Sequence, residues 1–155
     1  MNRRKLSGDE MARKHEGTKS AKGGYEIECK FIKMDKTSFN FEDLDIWKEG
    51  MRLSISIYKL MKNCKDFGFK DQIQRAAVSV PSNIAEGFER QTNKEFIQFL
   101  YIAKGSCGEL RTQIYLAKEL EYLNPEDYKN MLKQSKLLSA KIQNFIKTRK
   151  SLTKQ

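Results

Sequence analysis

Apolar residues recur at three- and four-residue spacing in four successive segments of the chain, and this pattern constrains the fold more than any other feature. Such spacing places apolar side chains on one face of a helix, whereas a half-buried strand has an apolar residue at every second position. No strand pattern competes with the helical one. Because only short connections separate the segments, consecutive helices should run antiparallel. The sequence therefore predicts an all-α, up-down-up-down four-helix bundle.

Capping signals locate the ends of these helices. Asn40 is the predicted N-cap of the first helix, and Thr92 with Glu95 forms a capping box at the start of the third. Asn124 precedes Pro125, and proline suits the first position of a helix because its missing N–H would have no partner there. The helices are predicted to cover approximately residues 41–63, 70–90, 92–123 and 125–150.

One line of apolar residues on each helix is predicted to form the core. These residues are Leu44, Trp47, Met51, Ile55 and Tyr58 in the first helix; Ile73, Ala77, Val80, Ile84 and Phe88 in the second; Phe96, Ala103, Leu110, Ile114 and Ala117 in the third; and Met131, Leu138, Ile142 and Phe145 in the fourth. A bundle of this size buries enough apolar surface to be stable by itself.

The first and third helices carry more apolar surface than one core face needs. On the first helix a second apolar line lies nearly opposite the predicted core line, and soluble monomers rarely leave such lines exposed. We therefore expect a homo-oligomer sealed by these two helices; coverage by the N-terminal segment is the alternative. The predicted interface residues are Ile46, Leu53, Ile57, Leu60, Tyr101 and Tyr115.

Residues 1–38 differ from the rest of the chain. They are polar, contain scattered glycines and show no sustained periodicity of apolar residues, so we expect a disordered or loosely attached basic extension. The bundle is then predicted over residues 39–150, with a flexible tail at 151–155. Met34 lies just before the helical pattern begins and is an alternative start.

The charge balance and the cysteines indicate which cellular compartment and which kinds of binding partner to expect. A formal net charge of +10 favours polyanions, anionic membranes or acidic proteins as partners. No apolar run approaches the roughly 18 residues that span a bilayer, and no secretory signal is visible. Cys29, Cys64 and Cys107 are scattered singly, which fits a reducing compartment better than a disulfide framework. These features predict a cytoplasmic protein.

The second helix contains an unusual polar row and an internal proline, Pro81. On the third helix, Gly105 and Gly108 each cost about 1 kcal/mol relative to alanine, which suggests close approach of a neighbour. We interpret the row and this small-residue notch as partners in a buried structural network, with a catalytic or ligand site as the alternative. The predicted network consists of Arg75, Ser79, Asn83, Glu86, Gly105, Ser106 and Glu109.

Two stretches of this region, DQIQRAAVSVPSNIAEGFER and EFIQFLYIAKGSCGELRTQIYLAKELEYL, resemble the bacterial family of 23S rRNA intervening-sequence proteins. The resemblance covers about the last 110 residues. It implies a small cytoplasmic four-helix bundle that assembles into a homopentameric barrel. A related accessory protein of diversity-generating retroelements binds nucleic acid and a reverse transcriptase, so the resemblance also implies a reverse transcriptase or a ribosomal component as a partner. It implies no catalytic residue.

The predicted fourth helix is strongly basic, because no acidic residue follows Asp127 while eight basic ones do. A helical projection places most of these lysines on the side opposite the core line. We call this set the lysine face and predict that it binds RNA or DNA through phosphates, with little base selectivity. A solvated face that only aids solubility, and a scaffold for an acidic protein, are the alternatives. The lysine face consists of Lys129, Lys133, Lys136, Lys147, Lys150 and Lys154.

The sequence gives little support to an enzyme. His15 is the only histidine and lies in the N-terminal extension, which excludes Glu-x-x-His pairs and Ser-His-Asp or Cys-His arrangements within the bundle. No phosphate-binding glycine loop is present. Glu86 with Glu109 is the remaining carboxylate pair that could hold a metal or serve an acid–base step. We expect no enzymatic activity, catalytic residue, metal or cofactor.

Overall fold

The structure is a computed structural model that describes residues 39–152. The predictions for residues 1–38, including the start at Met34 and the position of His15, and those for residues 153–155, including Lys154, lie outside the described residues. The described chain contains a 3-10 turn and four helices, and no strand. The turn is Phe41–Asp43, and the helices are α1 (Asp45–Leu60), α2 (Phe67–Phe88), α3 (Asn93–Glu119) and α4 (Pro125–Leu152).

Side-chain caps explain where three of the helices begin. The side chain of Asp66 accepts a hydrogen bond of 3.0 Å from the backbone N–H of Phe69, so α2 begins about three residues earlier than predicted. Thr92 and Glu95 form the predicted reciprocal capping box of α3. The side chain of Asn124 accepts from the first backbone N–H groups of α4, as predicted from its position before Pro125.

The end of α3 differs from the prediction because the backbone reverses at Glu121. That residue has a φ of 57°, in the left-handed region. The backbone N–H of Tyr122 then bonds to the carbonyl oxygen of Ala117 at 2.8 Å, which closes the last turn. The helix therefore ends at Glu119, about four residues before the predicted end.

The four helices form a bundle in which each helix packs against two others. Helix α1 contacts α2 and α4, and α3 contacts the same two helices from the other side, so that α1 and α3 lie diagonally opposite each other. The core lines predicted for α2, α3 and α4 are confirmed: all of their residues are buried except Phe88 and Phe145, which are partly buried against the core.

The predicted core face of α1 is wrong in part. Ile46, Leu53 and Ile57, predicted to lie at a subunit interface, are only 6%, 2% and 0% exposed within the single chain. Tyr58, predicted to be core, is 49% exposed. The true core line also includes Gly50, a residue too small to be recognised as part of an apolar stripe.

Helix α1 has small residues on this line because Pro81 of α2 lies against it. A Cβ atom on Gly50 would lie only 3.3 Å from Cβ of Pro81. Proline also leaves the carbonyl oxygen of Ala77 without its usual helical donor. The hydroxyl of Ser54 lies 2.8 Å from that oxygen and supplies a donor from the neighbouring helix. As a result, α2 continues through Pro81 from Phe67 to Phe88.

Candidate nucleic-acid interface

The lysine face is exposed along α4. The five members that the structure describes, Lys129, Lys133, Lys136, Lys147 and Lys150, all have exposed side chains. Within residues 39–152, none of them forms a salt bridge with a carboxylate. Lys141, in contrast, forms an ion pair with Glu49 of α1 and is partly buried. The fourth helix thus presents a row of ammonium groups whose charge the described carboxylates do not neutralise.

One edge of this face adjoins α3. Lys129, Lys136, Gln143 and Lys150 recur at seven-residue spacing, so they share one line along α4. The amide oxygen of Gln143 accepts a hydrogen bond of 2.6 Å from the ammonium of Lys104 on α3. The ammonium of Lys150 lies 2.8 Å from the hydroxyl oxygen of Tyr101, also on α3. The line therefore runs beside α3.

A matching line on α3 alternates tyrosines with cations. Tyr101, Lys104, Arg111, Tyr115 and Lys118 recur at three-, four- and seven-residue spacing, so they share one side of the helix. We call these five residues, with Tyr128 and the α4 line of Lys129, Lys136, Gln143 and Lys150, the α3–α4 seam.

The tyrosines of the seam are in contact with cations. The ammonium of Lys150 lies 5.0 Å from the ring centre of Tyr101. At the other end, the ring centres of Tyr115 and Tyr128 are 6.2 Å apart, and the ammonium of Lys118 lies 5.4 Å from the ring centre of Tyr128. A positive charge thus lies beside Tyr101 at one end of the seam and beside the Tyr115–Tyr128 pair at the other. Attraction between a cation and an aromatic ring favours this arrangement.

Among residues 39–152, carboxylates are confined to one end of the seam. Glu119 bonds to Lys118, and this hydrogen bond is the main cause that raises the pKa of the lysine above its ordinary value. Between Tyr101 and Tyr115, Glu109 is the sole carboxylate of α3, and on an ideal helix it points roughly 80° or more away from the residues of the seam. The middle and the Lys150 end of the seam are therefore positive.

The predicted polar network is brought together only in part. The hydroxyls of Ser79 and Ser106 are 2.9 Å apart across α2 and α3. The amide of Asn83 donates to the carbonyl and hydroxyl oxygens of Ser79 at 2.7 and 3.0 Å. These three residues form a small structural link between the two helices.

The charged members of that network are exposed, so the prediction that they are buried is wrong. Arg75 pairs with Asp71, and Glu86 pairs with Arg90, so each finds its partner one turn away on its own helix. Glu109 is also exposed. Gly105 is exposed, and a Cβ atom on it would meet no atom of residues 39–152 within 4 Å, so no close approach by the described residues explains this glycine.

A family model described as 23S rRNA-intervening sequence protein matches residues 42–144. The chain belongs to this family. Among solved structures, it is similar to a protein of unknown function from the S23 ribosomal protein family of Bacteroides thetaiotaomicron, with 25% identity and a TM-score of 0.62. That match covers 66% of this chain and 98% of the other. Comparison with curated proteins gives no match.

The family assignment confirms the resemblance that the SNIAEG and IAKGS segments carry. Both segments lie inside the matched range. Ser79, Asn83 and Ser106 link α2 and α3 at this point, so the motif has at least a structural role in this member of the 23S rRNA-intervening sequence protein family.

The chemistry of the described residues agrees with a structural role for Cys107. Burial, the largest effect, raises the pKa of this thiol to about 12, although the charge of Arg111 acts in the opposite direction. At neutral pH the thiol is protonated and is a poor nucleophile.

Among residues 39–152, no three histidine, cysteine or acidic side chains come together in a group that could hold a metal ion.

An apolar groove also opens between α1 and α2, with a volume of about 680 Å³. Its walls include Met51, Ile55 and Tyr58 of α1, and Val78 and Pro81 of α2. The sequence did not predict this groove, because the apolar spacing placed all three α1 residues on the predicted core line. In the part of the chain that the structure describes, no helix is both long and apolar enough to cross a membrane.

The seam was also missed by sequence analysis. Tyr101 and Tyr115 were assigned to a subunit interface, while Lys104, Arg111, Lys118 and Tyr128 were not selected at all. The seven-residue spacing of Lys129, Lys136 and Lys150 was a signal in the sequence, but only the contacts across the two helices show which residues of α3 face it.

Proposed function

We propose that this member of the 23S rRNA-intervening sequence protein family is a non-enzymatic, cytoplasmic protein that binds RNA or DNA through the lysine face of α4. The observation that carries the proposal is the row of five exposed lysines, with no carboxylate partner among residues 39–152, on a helix that has no acidic residue after Asp127. Lysine amines bind phosphates as flexible point charges and do not read bases. The binding is therefore expected to depend little on sequence.

Salt dependence follows from this mode of binding. Each phosphate that a lysine neutralises releases condensed counterions, so the logarithm of the binding constant falls with the logarithm of the salt concentration by about 0.7 per contact for a single strand and about 0.9 for a duplex. Several contacts per chain would make binding strong at low salt and weak at high salt.

Self-association is the second part of the proposal. The groove between α1 and α2 is apolar, and the outer side of α3 exposes Ile102, Leu116 and Leu120 by 44%, 45% and 49%. These surfaces differ, and α1 and α3 are diagonally opposite in the bundle. If one surface receives the other from a second copy, the contact is head-to-tail and can close into a ring. The family resemblance implies five subunits.

A ring would strengthen nucleic-acid binding without new contacts. Every subunit contributes its own lysine face, so a polyanion that binds one face meets the next at a high effective concentration. Sedimentation at micromolar concentration tests this part. A stable oligomer supports it, and a monomer contradicts it.

The lysine face is tested by charge reversal. In the variant Lys133→Glu, Lys136→Glu, Lys147→Glu, we expect affinity for RNA and DNA at low salt to fall by at least about tenfold, because three favourable contacts become repulsive. The matched control Arg52→Glu, Lys65→Glu, Lys70→Glu carries the same net charge but changes basic residues that belong neither to the lysine face nor to the walls of the α1–α2 groove. It should retain most of the affinity.

Two results would contradict the proposal. Equal affinities of the two variants would show that only net charge matters. Absence of nucleic-acid binding by the wild-type protein, together with capture of an acidic protein, a reverse transcriptase or a ribosomal component, would favour the scaffold alternative.

A further inference from the structure

Two tyrosines of the α3–α4 seam are exposed where the core does not need them. Tyr101 and Tyr115 are 42% and 44% exposed, and they are separated by fourteen positions of one continuous helix. At about 1.5 Å per residue, their Cα atoms are about 21 Å apart along the axis. Both lie on the same side of α3, where Tyr101 contacts Lys150 of α4 and Tyr115 contacts Tyr128 of α4.

The side chains between these two rings are basic or small. Lys104 and Arg111 lie on the same side of α3, and Gly108 between them adds no side chain. Among the described residues, a Cβ atom on Gly108 would have only the guanidinium of Arg111, at 3.9 Å, as a neighbour within 4 Å. The middle of the seam is therefore shallow and positively charged, with an aromatic ring toward each end.

We propose that a single-stranded polynucleotide lies along this seam, with bases stacked on Tyr101 and Tyr115 and phosphates held by Lys104, Arg111 and the lysines of the α4 line. This inference rests on the proposed function and specifies its ligand. Aromatic rings interleaved with cations are the usual chemistry of single-strand binding, since every base has a face that can stack while the backbone follows the positive charge.

A duplex fits the seam less well than a single strand. Its bases are already stacked on each other, so the tyrosine rings could gain nothing from them without unpairing the strands. Duplex binding would use the lysines alone. The structure therefore predicts a preference for single strands that comes from the tyrosines, on top of a salt-dependent affinity that comes from the lysines.

The contacts already present show how the cations and rings would cooperate. The ammonium of Lys150 is bound to the hydroxyl of Tyr101 and lies 5.0 Å from the ring centre, at the hydroxyl end of the ring, so a base stacked on the ring would bring its phosphate close to a positive charge. At the other end, the ammonium of Lys118 lies 5.4 Å from the ring centre of Tyr128, whose ring contacts Tyr115.

Paired substitutions separate stacking from apolar contact. The variant Tyr101→Leu, Tyr115→Leu keeps apolar bulk but removes both rings, whereas Tyr101→Phe, Tyr115→Phe keeps the rings and removes the hydroxyls. Tyr58→Leu is the control, because Tyr58 is 49% exposed but lies in the α1–α2 groove. Affinities are measured for RNA and DNA single strands of about 15 nucleotides and for the matching duplexes.

We expect the double leucine variant to lose at least about tenfold in affinity for RNA and DNA single strands, since stacking on one ring is worth about 5- to 150-fold. Its affinity for the duplexes should be unchanged. Tyr58→Leu should bind single strands like the wild-type protein, and the double phenylalanine variant should keep most of the affinity that the double leucine variant loses, because it keeps both rings. A loss in only one of the two nucleic acids would assign the seam to that type of strand.

Three outcomes would overturn the inference. If the double leucine variant keeps its single-strand affinity while reversal of Lys133, Lys136 and Lys147 removes it, the proposed function stands and the seam assignment is wrong. If neither change has an effect, both are wrong. If the leucine variant loses single-strand and duplex affinity equally and also dissociates in sedimentation, the tyrosines serve contact between copies.

A second measurement on the wild-type protein does not depend on any variant folding. Single strands that carry 5-bromouracil are photo-crosslinked to the protein, and the attached peptides are identified by mass spectrometry. Crosslinks at Tyr101 or Tyr115 support the inference. Crosslinks confined to other aromatic residues, such as Tyr58, contradict it.

Discussion

The hydroxyl of Ser54 in α1 lies 2.8 Å from the carbonyl oxygen of Ala77 in α2, the acceptor that Pro81 leaves without a helical partner. The same hydroxyl lies 2.9 Å from the carbonyl oxygen of Gly50, one turn back in its own helix. Gly50 in turn leaves space for the proline ring. Two small residues of α1 thus allow a proline to remain inside a buried helix.

This relationship predicts a coupling between Ser54 and Pro81. Ser54→Ala should lower the free energy of unfolding by about 1–3 kcal/mol, because it leaves a buried carbonyl group unpaired. In a Pro81→Ala background the same change should cost less, since the new backbone N–H can bond to Ala77. Urea denaturation of the four proteins in this double-mutant cycle measures the difference. Strictly additive energies would contradict the assignment.

Two glycines predict opposite effects of the same substitution. A Cβ atom on Gly87 would lie 2.5 Å from Cβ of Phe99, so Gly87→Ala should destabilise the chain by about 1–3 kcal/mol. Gly105 has open space around this position, so Gly105→Ala should raise the stability of the single chain by about 1 kcal/mol. Thermal unfolding checks both. Destabilisation by Gly105→Ala would show that another molecule fills this space.

Because Cys107 is buried, we predict that the protein loses stability at high pH. The pKa of the Cys107 thiol is about 12 in the folded chain and 9.0 without burial. Between these two pH values the folded state keeps the thiol proton, whereas the unfolded chain loses it. The contribution of this thiol to the free energy of unfolding is therefore complete below pH 9.0 and is lost as the pH rises toward 12. The free energy of unfolding of Cys107→Ala should therefore fall less steeply with pH, as alkaline denaturation series would show.

Thiol labelling gives a simpler check of the same residue. At about pH 8, native wild-type protein and Cys107→Ala should react with the same number of equivalents of a thiol reagent, because the buried, protonated thiol does not react. After denaturation the wild-type protein should show one more thiol. Rapid reaction of Cys107 in the native protein would contradict its burial.

Local signals in the sequence were sufficient for most of the fold. The capping box of Thr92 and Glu95 and the cap at Asn124 depend on residues only a few positions apart, so they could be identified directly. The predicted start of α2 was wrong, because Phe67, Gly68 and Phe69 were expected to break the chain. Instead, the side chain of Asp66 caps the helix, which begins at Phe67 although Gly68 lies in its first turn.

The face of α1 and the α3–α4 seam depend on neighbours that are distant in sequence. Gly50 and Ser54 belong to the core because Pro81 lies opposite them, and nothing within α1 indicates that. Similarly, Tyr101 belongs to an apolar line when α3 is considered alone, but the ammonium of Lys150 is bound to its hydroxyl in the folded chain. Periodicity locates the lines on each helix, and only packing shows which lines meet.

The salt dependence of binding tests the central claim most directly. Fluorescence anisotropy with a labelled single strand, between about 50 and about 200 mM salt, gives the slope of log K against log salt concentration. The lysine face predicts a steep negative slope for the wild-type protein, and a slope shallower by about 2 after neutral replacement of Lys133, Lys136 and Lys147 by glutamine. A slope that these replacements leave unchanged, or no binding at the lowest salt, would contradict it.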